Sequence, residues 1–505
     1  MGRFPVSGPR IERRALLGAT AGLLAVAIAP GTATAQAAAA RASDDPRRAA
    51  DPTSGESLAL ARHVALARFE DVPADAVRMG KYSLLDALGV SSAASGLEPA
   101  CRPFIEHALD EGRGGAAVVL GTGRNCTPGL AALANGALAH ALDYEDAHDP
   151  SRTHPNAAAV AAAVALATAG GELSGRELLL AVMLGSDVCC RISMAQGNVD
   201  ELPKAFYPPA IAGTFGATAT AARLLRLTPD QTLDAFSLAL CQNSCSAEIL
   251  SDAYSDIRAV RDGLCAQVGV QAAQLARRGV KGFSRPIEGE RGLYAMVSGG
   301  RHVPGRLTAE LGKRFEGQFV GYKAWPACRD AHPYVQAVLE GQQRDRLRPE
   351  DILAIRAYVP QRSLIICEPR DEKRRPRAAI DAKFSLYFTV ASALLRQSVV
   401  FANFEPQALR DPATLALADR VEYTVGSGPA LVELTLRDGT TRLWNITSLF
   451  GSPENPLNES DLRAKFIDCG QVAARPLPAS QLQTLAHRIL AVDKERDAAQ
   501  LLRLL

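Results

Sequence analysis

From Glu56 to about residue 295 the chain runs through one alanine- and leucine-rich stretch after another, each with helical spacing of its apolar side chains. Alanine and leucine favour helix over sheet, so this half predicts a large helical core. The stretches are 56–71, 74–95, 128–141, 157–169, 175–195, 229–246 and 262–278. Ser174-x-x-Glu177 and Thr228-Pro229-Asp230-Gln231 read as helix-opening capping boxes. Gly279 reads as the glycine that follows a helix C-terminus. Residues 116–120 read as a short strand.

The character changes near Gly299-Gly300. Residues 351–359 and 363–367 read as strands, followed by a helix at about 379–396. Strands return at 420–426, 430–437 and 441–447, with Asp438-Gly439 as a hairpin turn between the last two. Helices close the chain at 459–470 and 479–504. A chain of 505 residues exceeds one typical core. The expected fold class is mainly α. A large all-helical domain, 55–304 completed by 451–505, is interrupted by a smaller α+β lid domain at 305–450.

Residues 1–42 stand apart. Arg13-Arg14 precedes an uncharged stretch from 15 to 29, and Ala33-Thr34-Ala35 fits an A-x-A cleavage rule. This is the layout of a twin-arginine export signal. The uncharged run falls short of the roughly 20 residues a membrane span needs. The expectation is a periplasmic or extracellular protein, exported folded, with no membrane contact after cleavage. Basic and acidic side chains nearly cancel, 56 against 54, which argues against a nucleic-acid partner. The ten cysteines include no C-x-x-C pair, which disfavours an iron–sulfur site. In apolar helical context they read as structural thiols.

The chemistry concentrates in LDYEDAHDPSRTHPN, residues 142–156, between two very apolar helices. Together with His140 it holds three of the eight histidines, and it carries the carboxylates Asp143, Glu145, Asp146 and Asp149. Burying such groups is costly unless they are satisfied. One reading is a solvated inter-helix loop. A second is a metal site of His140, Asp143, His148 and His154, although the spacing matches no specific metal signature. A third is an acid–base site, where a carboxylate and an imidazole exchange a proton with a carbon acid. Downstream, Tyr207 precedes two prolines and a Gly-rich helix, and Arg258 and Arg261 stand just before another helix. Lys323, Cys328 and His332 share a proline turn, and Lys383 lies in Asp381-Ala-Lys-Phe-Ser385.

Taken in order, these blocks resemble the MmgE/PrpD family, which includes 2-methylcitrate dehydratase, cis-aconitate decarboxylase and iminodisuccinate epimerase. The resemblance rests on Leu85-Asp86-Ala-Leu-Gly89, Asn135-Gly136-x-x-x-His140-x-x-Asp143, His154-Pro155 and Gly213-x-Phe-Gly. It continues through Lys323-x-x-Pro326-x-Cys328-x-x-x-His332, Asp381-Ala-Lys-Phe-Ser385, and Asn455-Pro456 ahead of Lys465-Phe466. It covers nearly all of 56–505. What it implies is a homodimer with its active site between helical domain and lid, no cofactor, no metal, and a small polycarboxylate substrate. It implies Asp143, His154 and Tyr207 as catalytic residues. Arg258, Arg261, Lys323, Cys328, His332 and Lys383 are implied as substrate-binding.

Four positions depart from the family pattern. Ala147 replaces a threonine, Tyr207 a histidine, Arg258 a lysine and Phe388 a tyrosine; Thr153 and Tyr387 stand nearby as substitutes. The leading expectation is a cofactor-independent, dehydratase-like lyase that removes a proton beside a carboxylate. The alternatives are an isomerase or epimerase of the same substrate class, and a non-catalytic exported carboxylate-binding homologue.

Overall fold

A helix of alanines has no side chains long enough to shield it, so it must lie at the centre of a bundle. In the computed structural model, which describes residues 55–197, 205–250, 255–426 and 428–505, this holds. The expected export segment at 1–42 lies outside the described residues. The first helices are α1 (Glu56–Leu66), α2 (Ala74–Leu97) and α3 (Arg102–Glu111). A two-stranded antiparallel hairpin follows, β1 (Ala117–Val119) with β2 (Arg124–Cys126). Then come α4 (Pro128–Ala141), α5 (Pro155–Ala169), α6 (Gly175–Ala195), α7 (Pro208–Leu224), α8 (Pro229–Leu240) and α9 (Ile257–Arg277). Helix α5 is the alanine run. It is buried from Pro155 to Thr168 and packs against α4, α6, α7 and α9.

Small residues let these backbones approach. A Cβ on Gly136 of α4 would lie 2.5 Å from the carbonyl oxygen of Asp262 on α9, and one on Gly263 would collide with the Leu133 carbonyl. The α4–α9 crossing therefore sits at backbone contact, which brings the start of α9 beside the end of α4. The capping box expected at Thr228 is complete, pairing reciprocally with Gln231, whereas at Ser174 only the bond from the Glu177 amide to Oγ forms, because the Glu177 carboxylate takes Arg223 instead. Helix α9 begins at Ile257, earlier than the expected 262. Arg258 and Arg261 thus belong to its first turn rather than preceding it.

Helix α6 is long and apolar enough to cross a membrane, but it lies inside the bundle. Its buried Arg191 is paired with Asp187 at 2.8 Å and donates to the carbonyls of Ala309 and Arg314, both at 2.6 Å. This clamps the chain that leaves the bundle after α10 (Leu293–Val297).

Residues 327–444 form their own hydrophobic core. Its elements are α11 (His332–Asp345), β3 (Ile352–Val359), α12 (Arg370–Arg374), α13 (Ala379–Lys383), α14 (Leu386–Arg396) and α15 (Pro412–Ala418). Strands β4 (Val421–Val425), β5 (Leu431–Leu436) and β6 (Thr441–Asn445) complete it. The sheet order is β4-β3-β5-β6, with β3 and β4 parallel and the other pairs antiparallel. The strand expected at 363–367 is instead a 3₁₀ turn, Gln361–Ile366. Both edges of β3 are already taken, and the Ser363 amide closes back on the Pro360 carbonyl at 2.9 Å. The single helix expected at 379–396 is broken at Phe384, where the Ser385 side chain caps α14.

The chain ends with α16 (Glu459–Gln471), α17 (Ala479–Leu490) and α18 (Ala498–Leu502), where one helix was expected over 479–504. Leu462, Phe466, Leu482 and Ile489 join the core built by α2 and α6. The described residues are mainly α, with 59 % helix and 9 % strand. All ten cysteines are free, eight of them buried.

If the α4–α9 crossing sets the bundle, Gly136→Ala overpacks it. The expected loss is about 1–3 kcal/mol, read as a lower urea midpoint with unchanged slope. An unchanged midpoint would show that the crossing has slack.

Candidate active site

Helix α4 ends with His140 buried, and the chain turns at Asp143, whose φ of 50° is in the left-handed region. Aspartate tolerates that conformation better than most residues. The following loop is not solvated. Asp143, Glu145, Asp146, Ala147, His148, Ser151 and Thr153 are all buried. The loop is sewn to the segment after the Arg191 clamp by reciprocal amide–carbonyl bonds between Ala147 and Gly321, 2.8 Å each. The next residues deliver Lys323.

Lys323 is fully buried. Its ammonium donates to the Asp143 carbonyl at 3.0 Å and to the Asp143 carboxylate, and lies 3.8 Å from Glu145 Oε2. Burial pushes the lysine pKa down, but Asp143 and Glu145 pull it up and win. Burial alone would raise Asp143; the Lys323 charge holds it well below the ordinary carboxylate range instead. Asp143 is therefore an ionised partner of Lys323 rather than a free base.

Glu145 is the hub of the other half. Its Oε1 faces His140 Nδ1, and His154 Nδ1 at 3.2 Å. His154 Nδ1 also faces the Asp146 carbonyl at 2.8 Å. Carbonyl and carboxylate oxygens only accept, so Nδ1 of His154 carries the hydrogen and Nε2 is left with its lone pair. Burial drives the His154 pKa down to about 3 against the pull of Glu145, so the ring is neutral near pH 7. His140 is likewise pushed down by burial and by Arg261. His154, which immediately precedes α5, is 16 % exposed at its side chain, whereas His140, Asp143 and Glu145 are sealed. His154 is the member of this cluster that a solute can reach.

A second group is cationic. Arg261 donates to the Arg258 carbonyl at 2.9 Å, lies 3.6 Å from Asp262, and stacks 5.0 Å from the Tyr207 ring centre. Arg258 lies 3.6 Å over the Phe384 ring. Phe384 occupies the break between α13 and α14, so that break aims the ring at α9. The Cys328 amide donates to the Lys383 carbonyl at 3.0 Å, and burial pushes the Cys328 thiol well up. Lys383 is buried, 4.0 Å from Glu98. His332 does not join either group. It is buried with Nε2 at 3.1 Å from the Ala327 carbonyl and packs edge-on against Trp325, which braces the Lys323–Cys328 turn.

The chain matches the MmgE/PrpD N-terminal domain over residues 58–305 and the MmgE/PrpD C-terminal domain over 325–488. It belongs to the MmgE/PrpD family. Relatives include cis-aconitate decarboxylase of Mus musculus, 25 % identical over 443 residues, covering 85 % of this chain and 89 % of the relative. The Homo sapiens cis-aconitate decarboxylase is 27 % identical over 67 % of this chain and 72 % of its own length. A cis-aconitate decarboxylase-like protein of Aspergillus oryzae is 24 % identical over 90 % and 98 %.

Within this MmgE/PrpD chain the departures have definite places. Ala147 contributes its backbone to the Gly321 bridge. Phe388 is core, 6.2 Å from Phe404. Tyr387 does not substitute for it, because its hydroxyl donates to the Cys367 carbonyl at 3.1 Å. Thr153 shares a 2.6 Å bond with Ser151.

Sequence reasoning left His140 and Glu145 out of the site proper, although both stand in the block it singled out. It missed Lys373 on α12. Burial and the neighbouring Arg258 charge lower this ammonium to about 8, opposed by Asp381, Cys328 and Glu372. A lysine in a charged surface run gives no sequence signal of such a place.

The metal-ligand set suggested by the sequence is not the one that converges. His148 Nδ1 is held by Ser151 at 2.7 Å. The donors that do converge are His140, Asp143, Glu145 and His154, within 4.8 Å of one another. The Lys323 ammonium already supplies a cation to two of them. Metal analysis of the purified protein is expected to show no stoichiometric, chelator-sensitive ion; finding one would mean that Lys323 gives way to it.

Proposed function

We propose that this chain is a cofactor-independent lyase for a small di- or tricarboxylate, working by proton transfer at carbon beside a carboxylate. The observation that carries the proposal is the exposed Nε2 lone pair of His154, fixed by Glu145 and the Asp146 carbonyl beside the Lys323–Asp143 pair. Arg258, Arg261 and Lys373 provide charge-assisted donors for carboxylates. The separate core at 327–444 acts as the lid that closes on the substrate, bringing Cys328 and Lys383.

In a dehydration, His154 takes the proton, its electron pair forms the double bond, and hydroxide leaves with a proton from an acid. In a decarboxylation, the bond to a carboxylate breaks, CO₂ leaves, and the electron pair ends on a carbon that takes up a proton. The names of the relatives favour the second. Preorganised cations stabilise the electron-rich intermediate in both. The export-type segment at 1–42 motivates a periplasmic or extracellular site of action, and the family resemblance a homodimer.

Proton NMR of cis-aconitate, citrate and related acids in deuterated water tests the reading. Elimination, loss of CO₂ or exchange at the α carbon is expected. Thermal stabilisation by polycarboxylates without any of these would favour the non-catalytic homologue, a reading that the missing hydroxyls at Ala147 and Phe388 motivate.

His154→Ala is expected to lower kcat by about 10²–10⁴-fold with the fold intact. Wild-type turnover in that variant would refute the assignment. Lys373 is cationic below its pKa of about 8 and neutral above it. An anionic substrate therefore binds better on the acid side, and KM should rise as pH passes 8. Lys373→Met should remove that limb and raise KM about tenfold, the worth of one charge-assisted bond. A KM limb that survives the substitution would move the effect elsewhere.

A further inference from the structure

We propose that Lys465 is a positioning residue for the reaction: held by Asp86, its ammonium fixes the backbone of the acid–base loop and of Lys323 relative to each other. This rests on the lyase reading of the site. Two sequence blocks at opposite ends of the chain, one around Asp86 and one around Lys465, find no role in the chemistry described so far. In the fold they meet. Phe466 of α16 packs so close to α2 that a Cβ on Gly89 would lie 3.1 Å from its ring. That seats Lys465 against Asp86 at 2.7 Å, with 7 % and 3 % of the two residues exposed.

An ammonium has three N–H donors; Lys465 spends two on backbone carbonyls and faces Asp86 as an ion pair. Besides Asp86, Nζ donates to the Tyr144 carbonyl at 2.7 Å and to the Lys323 carbonyl at 2.9 Å. It also lies 3.7 Å from the Tyr144 ring centre. The three acceptors come from α2, from the loop after α4, and from the segment that carries Lys323. Successive carbonyls of the loop are thus bound by two lysines: Asp143 by Lys323, Tyr144 by Lys465. Lys465 then holds Lys323 by its own carbonyl. The brace closes around Asp143, whose left-handed φ needs the surroundings to enforce it.

A buried ion pair is a weak source of stability, since well-packed apolar residues of similar volume serve as well or better. What apolar residues cannot supply is a donor for two carbonyls. The role that remains for Lys465 is therefore geometric.

This separates the test from stability. The double variant Lys465→Met/Asp86→Leu removes both charges together, so no buried ion is orphaned. It should melt within a few degrees of wild type. Its kcat should fall about 100-fold, the cost of misplacing reacting groups by about 1 Å, while KM changes less than threefold. Lys465→Arg, which keeps a cationic donor beside Asp86, should recover part of kcat. A double variant with wild-type kcat, or a loss explained by its unfolded fraction, overturns the proposal.

A crystal structure of the double variant offers a second test that needs no turnover. The Lys323 Nζ–Asp143 contact should be lost or displaced; an unchanged contact and an unchanged Asp143 φ overturn the positioning role. Absence of any reaction by the wild-type protein would count against the lyase reading, and the crystallographic comparison would still decide this one.

Discussion

The site depends on one buried ammonium. Lys323 sits where water cannot reach it, and an unpaired charge there would cost several kcal/mol. Asp143 and Glu145 offset that cost. Glu145 in turn must be satisfied, and the Nδ1 hydrogens of His140 and His154 do so. The tautomer of each imidazole, and the free lone pair on His154 Nε2, follow from the need to neutralise one lysine. The chemistry is a consequence of electrostatic balance among buried charges.

The medium around them is the alanine bundle. Alanine and glycine let helices approach until backbones touch, as α4 and α9 do at Gly136 and Gly263. Such an interior leaves little space between its helices. It brings the first turn of α9, with Arg258 and Arg261, beside the last turn of α4, with His140. Larger side chains would have pushed these turns apart. The Arg191 clamp and the Lys465 brace act at the next level: each uses a buried cation to hold carbonyls of chain that crosses between elements. Where no regular structure satisfies those carbonyls, a long cationic side chain does.

Much of this was legible in the sequence because it is local. Helix periodicity, the N-caps at Ser174 and Thr228, and the Asp438-Gly439 turn needed only neighbouring residues. So did the recognition that 142–156 is too polar for its surroundings. The failures share a cause. The run at 363–367 has strand composition, but both edges of the preceding strand β3 are taken and the chain turns back on itself at Pro360 instead. The helix over 379–396 is split because Ser385 caps a new start. The catalytic group was read as Asp143, His154 and Tyr207 because no spacing rule shows that Glu145 lies between two imidazoles and a lysine from far along the chain. Lys373 and Lys465 look like surface charges until the fold half-buries the first and encloses the second.

The first-turn and loop substitutions bear on which bond breaks. Dehydration asks for an acid to accompany hydroxide as well as a base for carbon. Apart from Tyr207, whose ring lies beside Arg261, the hydroxyls singled out from the sequence are missing or engaged. Ala147 has none, and Phe388 is in the 327–444 core. Tyr387, about 100° further round α14, spends its hydroxyl on Cys367. Thr153 is tied to Ser151, and burial keeps the Cys328 thiol protonated and out of acid–base exchange near neutral pH. Loss of CO₂ makes a smaller demand, because the departing group needs no proton. One proton must reach carbon, and His154 can carry it. A polycarboxylate entering beside a neutral imidazole raises the affinity of that ring for a proton, so the substrate itself charges the acid it will use. On the proposed reading, a dehydration would rest on the Tyr207 hydroxyl as its acid, whereas a carboxy-lyase needs no acid for its leaving group.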